Sequence, residues 1–216
     1  MSATASLIVL HYTKFGENSV VLHTLSREYG RRSFLVRGAG KRMMSLILPM
    51  NVLEADIIES SKSSLYTARN LCARYPLNGI RSNLYKNTMT MFVSEVLYRV
   101  VKDGASEPGL YEWCEKQIML LDALEEGFSN FHIRFLLELS IALGFSPDPS
   151  GLKPFVGDDF GTVSGFLSLP FAESMLLPLS GQVRNRICDA LLRYIEFHTE
   201  STLTVNSLKV LREVFI

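Results

Sequence analysis

One basic segment of the chain reads Arg27-Glu-Tyr-Gly-Arg-Arg-Ser-Phe-Leu-Val-Arg-Gly-Ala-Gly-Lys-Arg42, with six basic residues and one acidic residue. Glycines mark a turn near its start and a loop before its last two residues. Between them, the aromatic and β-branched residues of 32–37 predict a strand. A basic strand that ends in a glycine-rich basic loop predicts a surface for a polyanion.

Further strand patterns lie on both sides of this segment, at residues 6–12, 19–25, 52–59 and 65–71. Five short strands within about 70 residues predict a small barrel, and a five-stranded oligonucleotide-binding (OB) barrel is the leading candidate. From about residue 83, apolar residues recur three and four apart, which predicts helices. The predicted fold is therefore α+β with two domains: an OB barrel at 1–80 and an all-α domain at 81–216. We expect the Gly- and Pro-rich stretch at about 146–170 to be an irregular insertion with a small hairpin at 161–166.

The charges are divided unevenly along the 216 residues, although the formal net charge is zero. Residues 1–81 hold eleven basic and five acidic residues, whereas residues 82–216 hold eleven basic and seventeen acidic ones. A neutral total argues against nucleic-acid binding, but this asymmetry predicts a polyanion-binding front and an acidic remainder.

The predicted barrel carries the candidate DNA-binding residues, whose positive charges would neutralise phosphates. They are Arg27, Arg31, Arg32, Arg37, Lys41, Arg42, Arg69 and Arg74. Interleaved rings that could stack on bases are Tyr12, Phe15, Tyr29, Phe34 and Tyr66. The alternative is that the charges form a solvated face and the rings form the barrel core. Strand alternation favours a core position for Phe34.

Neither a catalytic group nor a metal site emerges from the sequence. The four histidines are dispersed, and Cys72, Cys114 and Cys188 are far apart with no CxxC pair. We therefore expect no catalytic residues, no cofactor, no metal and no enzyme activity. Scattered cysteines, no signal peptide and no apolar run of about 20 residues predict a cytoplasmic protein away from the membrane.

Arg134 and Glu138 are four residues apart in a stretch, 131–143, that is otherwise apolar apart from His132 and Ser140. This spacing places them on one face of a helix. Spacing alone favours an internal ion pair, and the alternative is a cation beside an apolar groove that accepts a peptide carboxylate.

Several segments taken together resemble the RecO family of bacterial recombination mediators, in a short form without a zinc module. The N-terminal likeness lies in Ser19-Val-Val-Leu-His-Thr-Leu25 and Val36-Arg-Gly38. The helical likeness lies in Phe92-Val-Ser-Glu-Val-Leu-Tyr98, in Leu120 to His132, in Arg134-Phe-Leu-Leu-Glu-Leu-Ser-Ile-Ala-Leu-Gly-Phe145 and in Ser207 to Phe215. Many family members carry four zinc-binding cysteines after this helix, and residues 146–170 contain none.

The resemblance implies an OB barrel followed by a helical domain in a DNA repair protein associated with the nucleoid. It implies binding of single- and double-stranded DNA and annealing of complementary strands. It also implies partnership with RecR and with the C-terminal tail of single-stranded DNA-binding protein (SSB). Contact with this tail helps to load RecA, which is therefore an indirect partner. The resemblance further implies that Arg134 contacts that tail, and the apolar residues around this cation in the sequence, Phe131, Phe135 and Leu137, are the candidates for the pocket beside it. The alternative function is an OB module that binds protein or oligosaccharide and has no DNA role.

Overall fold

The structure is a computed structural model that describes residues 2–38, 40–60 and 63–215, so Ala39 and Lys62 lie outside the described residues. The chain divides into two compact units. Unit 1 comprises residues 1–78 and 94–118, and unit 2 comprises residues 79–93 and 119–216. Residues 94–118, which the sequence analysis assigned to the helical domain, thus belong to the unit that contains the barrel.

Five strands of unit 1 close into a barrel, as the sequence predicted. They are β1 (Ser2–Lys14), β2 (Ser19–Ser26), β3 (Gly30–Arg37), β4 (Val52–Ile58) and β5 (Tyr66–Ala73). Their order around the barrel is β1-β2-β3-β5-β4, and β4 pairs with β1 to close it. All neighbours are antiparallel except β3 and β5, which run parallel. This closed five-stranded arrangement confirms the predicted OB fold.

The barrel core follows from the alternation of side chains along each strand. In β2 and β3, Val20, Leu22, Phe34 and Val36 point inward and are at most 2% exposed. The residues between them lie on the outer face, because successive side chains of a strand point to opposite sides. Phe34 is therefore a core residue, as predicted, and its ring is unavailable to a ligand.

The segment between β3 and β4 contains a short helix where the sequence predicted a loop. Helix α1 (Lys41–Leu46) begins after Gly40, whose extended backbone forms the N-cap. Most of its residues have good helix propensity, which outweighs the loop preference of the neighbouring glycines and of Pro49. Helix α1 contacts β5, and Met43, Met44 and Leu46 pack against the barrel core, whereas Lys41 and Arg42 at its start are exposed, four and five residues after Arg37.

The remaining elements are helices. They are α2 (Asn78–Arg81), α3 (Leu84–Val100), α4 (Leu110–Ala123), α5 (Phe131–Ala142), α6 (Pro149–Val156), α7 (Phe160–Ser168), α8 (Phe171–Met175), α9 (Gly181–Thr199) and α10 (Ser207–Val214). Helices α3 and α4 each contribute residues to both units. Helix α5 is buried on nearly all sides, as its continuous apolar sequence predicted.

The stretch 146–170 is helical, so the expected irregular insertion and its hairpin are wrong. Asp148 caps α6 by accepting hydrogen bonds from the amides of Ser150 and Gly151, and Pro149 occupies the first helical turn. In α7, Val163 and Phe166 are fully buried on one face. Burial of that face offsets the low helix propensity of Gly161 and Gly165, which favoured a loop.

The start of β3 is bonded to the loop that joins α3 to α4, within unit 1. The amide of Arg31 donates to Ala105 O at 2.7 Å, and the amide of Gly104 donates to Arg31 O at 2.7 Å. Gly30 has a φ of +63°, and a Cβ at this position would lie 2.3 Å from Ala105 O. Glycine is required here both by the left-handed backbone and by this close approach.

Candidate nucleic-acid surface

Five basic side chains gather at one end of the barrel, which we call the basic end: Lys14, Arg37, Lys41, Arg42 and Arg69. Lys14 of β1 pairs with Val20 of β2, whose neighbour Ser19 pairs with Arg37 of β3. Val36 pairs in parallel with Ala68 of β5, which brings Arg69 level with Arg37. Since adjacent strands are about 4.8 Å apart, the basic end spans four neighbouring strands with one cation every one or two strands.

The side chains of the basic end are exposed and carry unneutralised charge. All five are exposed, and within residues 2–38, 40–60 and 63–215 none of them forms an ion pair. Asp56 is in register with Arg69, but its carboxylate accepts a hydrogen bond from Asn70 at 2.7 Å. Unpaired cations in a row can neutralise successive phosphates without first breaking an internal ion pair.

Two predicted DNA-binding arginines are instead paired with acidic residues of α4, in unit 1. Arg27 lies 3.1 Å from both Glu112 and Glu115, and Arg74 lies 3.6 Å from Glu115. The Arg27 guanidinium also lies 4.7 Å from the centroid of the Tyr111 ring. These contacts give both arginines a structural role and weigh against contact with phosphate.

Arg31, a third predicted residue, is only 4% exposed. Its guanidinium lies 3.4 Å from Asp103 and 4.9 Å from the centroid of the Tyr98 ring. Burial lowers the pKa of Arg31, and the nearby Asp103 opposes that shift. A phosphate could reach this group only if the loop that carries Asp103 moved away, so burial weighs against a direct DNA contact.

Arg32 has an intermediate position at the start of β3. Its guanidinium stacks over Tyr66 at 3.9 Å from the ring centroid and donates to Ser64 O at 3.2 Å. Tyr29 meets Tyr66 edge to face and donates its hydroxyl proton to Glu59 at 3.2 Å. Both tyrosine rings, predicted as stacking candidates, are thus already engaged by neighbouring side chains.

Two histidines lie side by side on the outer face of β1 and β2. His11 and His23 stack at 5.8 Å between ring centroids, and Tyr98 contacts both rings. His23 forms hydrogen bonds with Ser33 at 2.8 Å and Thr13 at 3.0 Å. Burial, followed by the charge of Arg31, lowers the pKa of His23 to about 4. A neutral histidine held in this way is a structural residue at neutral pH.

Arg134, the residue predicted to meet a peptide tail, is engaged inside unit 2. Its Nε donates to Glu138 at 2.6 Å, and its NH1 donates to the carbonyl oxygens of Phe166 and, at 3.1 Å, Leu169. The Phe166 carbonyl is among the last of α7, where carbonyls lack helical partners. Arg134 therefore caps the end of α7 from the side of α5. The three apolar residues predicted beside it are all buried: Phe131, Phe135 and Leu137.

Comparison with known protein families matches the two parts of the chain separately. A family model described as "Recombination protein O N terminal" matches residues 1–74, and one described as "Recombination protein O C terminal" matches residues 81–150. The chain belongs to the RecO family. Two curated relatives, each named "DNA repair protein RecO", match over almost the whole length. The one from Phocaeicola vulgatus is 27% identical over 96% of this chain and 97% of that protein, and the one from Flavobacterium psychrophilum is 25% identical over 100% of both. A third, from Porphyromonas gingivalis, is 31% identical over 68% of this chain and 63% of that protein.

Membership in the RecO family gives the chain a role in DNA repair and recombination, which confirms the resemblance seen in the sequence. In the described part of the chain, no helix is long and apolar enough to cross a bilayer. The same residues contain no group of three or more histidine, cysteine or acidic side chains placed to hold a metal ion. Cys114 and Cys188 are buried free thiols, whereas Cys72 is exposed.

Lys14 was absent from the predicted DNA-binding set, and the structure places it in the basic end of this RecO chain. It ends β1 and directly precedes Phe15, which was among the predicted stacking rings. The signal available in the sequence was a cation next to an aromatic residue in the first loop of the predicted OB barrel, because this loop commonly contacts nucleic acid.

Proposed function

We propose that this RecO protein binds DNA through the basic end of its barrel and acts in recombinational repair as a mediator, without catalysing a covalent step. The observation that supports this most directly is that, among the residues the structure describes, Lys14, Arg37, Lys41, Arg42 and Arg69 form no ion pair. Four of these five belong to the predicted DNA-binding set. A row of cations would neutralise the charges of a phosphate backbone, whereas a neutral glycan or peptide carries no negative charges for it to neutralise.

The proposal extends to both single- and double-stranded DNA, since contacts with phosphate do not depend on base pairing. Holding two strands on one basic surface would reduce the repulsion between their phosphates and so favour annealing. We also propose, from membership in the family, that RecR and the SSB tail are partners and that the protein helps RecA to load. For Arg134 itself, the contacts with Glu138 and α7 favour the structural role over tail binding.

The test is fluorescence-polarisation binding of labelled single- and double-stranded oligonucleotides between about 50 and 200 mM salt. The variant carries Lys41→Ala and Arg42→Ala together. We expect the slope of log affinity against log salt to fall by about 1.4 for single strands and about 1.8 for duplexes, because each lost phosphate contact removes about 0.7 or 0.9.

The matched control carries Arg27→Ala and Arg74→Ala, which removes the same net charge from groups that are already ion-paired. A smaller change of slope in this control separates local phosphate contact from the effect of total charge. Equal slopes in the two double variants would show that the basic end is not the DNA site. If the unmodified protein binds neither oligonucleotide at the lowest salt, the proposed function itself is wrong.

A further inference from the structure

The loop between β1 and β2 presents a large aromatic ring to solvent at the basic end. Phe15 is 55% exposed and follows Lys14 directly. The loop that carries it is held in place at two points: the amide of Phe15 donates to Ser19 O at 2.9 Å, and the amide of Gly38 donates to Asn18 O at 2.7 Å. The second bond ties the loop to the end of β3, next to Arg37.

Of the five rings that the sequence offered for base stacking, Phe15 is the most open. Phe34 is in the core, Tyr12 packs against the core, and Tyr29 and Tyr66 contact each other. Leaving a phenylalanine side chain more than half exposed forgoes much of the stabilisation that burial would give. An aromatic side chain that is held in position but not buried is available to a ligand with a flat apolar face.

The surroundings of Phe15 fit a nucleic-acid strand. Lys14 adjoins the ring in sequence, and Arg37 lies two strands away, at about 10 Å by strand spacing. A strand whose phosphates contact the cations of the basic end would bring its bases close to the loop. Combining a cationic track with an aromatic platform is the physical basis of sequence-tolerant binding to single strands.

We propose that Phe15 stacks on an unpaired base and gives the basic end a preference for single-stranded over double-stranded DNA. The proposal rests on the proposed function, because it requires that DNA binds at the basic end. In a duplex the base faces are already covered by neighbouring base pairs, so the ring would gain a contact only if it forced a step apart. The cations contact phosphates in both forms of DNA, whereas the Phe15 ring contacts a base only in the single strand.

The test compares Phe15→Ala and Phe15→Trp with the unmodified protein in the same polarisation assay. Phe15→Ala is expected to weaken single-strand binding about five- to one-hundred-fold and to change duplex binding less than about twofold. Its salt slope should stay unchanged, since no phosphate contact is lost. Phe15→Trp keeps a stacking surface and should stay within about threefold of the unmodified protein. An oligonucleotide with 2-aminopurine gives a second readout, because stacking on the ring quenches its fluorescence.

The matched control is Phe197→Ala, which removes an equally large ring that is 69% exposed on α9, in unit 2. This control should leave both affinities unchanged. Equal losses for single strands and duplexes in Phe15→Ala would mean that Phe15 only shapes the loop. If Phe15→Ala changes neither affinity while the Lys41 and Arg42 double variant lowers the slope, the stacking proposal fails and the DNA-binding function stands. If no variant or unmodified protein binds DNA, both proposals fail together.

Discussion

Replacing Arg134 tests whether this side chain is a structural cap or part of a peptide site. The Arg134 side chain is 15% exposed, and its guanidinium donates hydrogen bonds to the Glu138 carboxylate and to the carbonyl oxygens of Phe166 and Leu169. A hydrogen bond that involves a charged group contributes about 1.5–3 kcal/mol, and a buried acceptor left without a partner costs about 1–3 kcal/mol. Because partly exposed groups regain water, we expect Arg134→Ala to lower the free energy of unfolding by about 2–4 kcal/mol.

The assay is urea unfolding, monitored by the circular-dichroism signal of the helices. With a denaturant dependence near 3 kcal/mol per molar urea, the expected loss moves the midpoint down by about 1 M. Arg134→Lys should recover only part of it, because one ammonium group cannot reproduce the planar fork that reaches two carbonyls and a carboxylate. The matched control is Arg193→Ala on the exposed face of α9, which should shift stability by less than about 0.5 kcal/mol.

An unchanged midpoint in Arg134→Ala would refute the structural reasoning. The same variants then decide the alternative role, with a labelled acidic peptide that ends in a free carboxylate. If Arg134 binds such a tail, Arg134→Ala should weaken the peptide about ten- to one-hundred-fold while oligonucleotide binding stays nearly unchanged. Equal peptide affinities across the variants would leave Arg134 as the partner of Glu138 and of α7 alone.

Three further predictions concern stability and metal content. Gly30→Ala should destabilise the protein by about 1–3 kcal/mol in urea unfolding, whereas Gly16→Ala, also at positive φ but with no atom within 4 Å of the added Cβ, should cost less; equal effects would contradict the role of the contact with Ala105. The pKa of His23 falls from 6.5 unfolded to about 4 folded, so the unfolded state binds more protons between these values. Stability should therefore be lost as the pH falls from about 6.5 to about 4, and His23→Gln should flatten that dependence; an identical pH profile would exclude His23 as a source. Finally, the protein should fold and bind DNA without zinc, and stoichiometric zinc in elemental analysis, lost with helical signal on chelation, would overturn this expectation.

The barrel could be predicted from sequence because its information is local. Alternation of inward residues such as Leu22 and Phe34 with outward residues, together with turns at glycines, determines the five strands. The parallel pairing of β3 with β5 is not encoded in these local patterns. The helices at 149–168 were missed for a physical reason as well. Glycine and proline lower helix propensity, but Asp148 followed by Pro149 is a helix-start signal that deserved more weight.

The candidate site was only partly predictable, because free and paired arginines look alike in a sequence. Arg31 and Arg37 lie on the same face of β3, six residues apart. Arg31 is covered by Tyr98 and Asp103, whereas Arg37 is exposed. The difference depends on contacts with residues about 70 positions away, which no local pattern reports. Likewise, the spacing of Arg134 and Glu138 predicted their ion pair but not the carbonyls of α7.

The pairing of β3 with the loop at Gly104 and Ala105 has a consequence for how the protein is made. Arg31 and Asp103 are 72 positions apart, and Arg27 and Glu115 are 88 apart. Contacts of such long sequence separation raise contact order and slow folding. During synthesis on the ribosome, all five strands emerge well before these partners do. We therefore expect the barrel to leave the ribosome with its arginines unneutralised and to reach its final stability only after α4 has been translated.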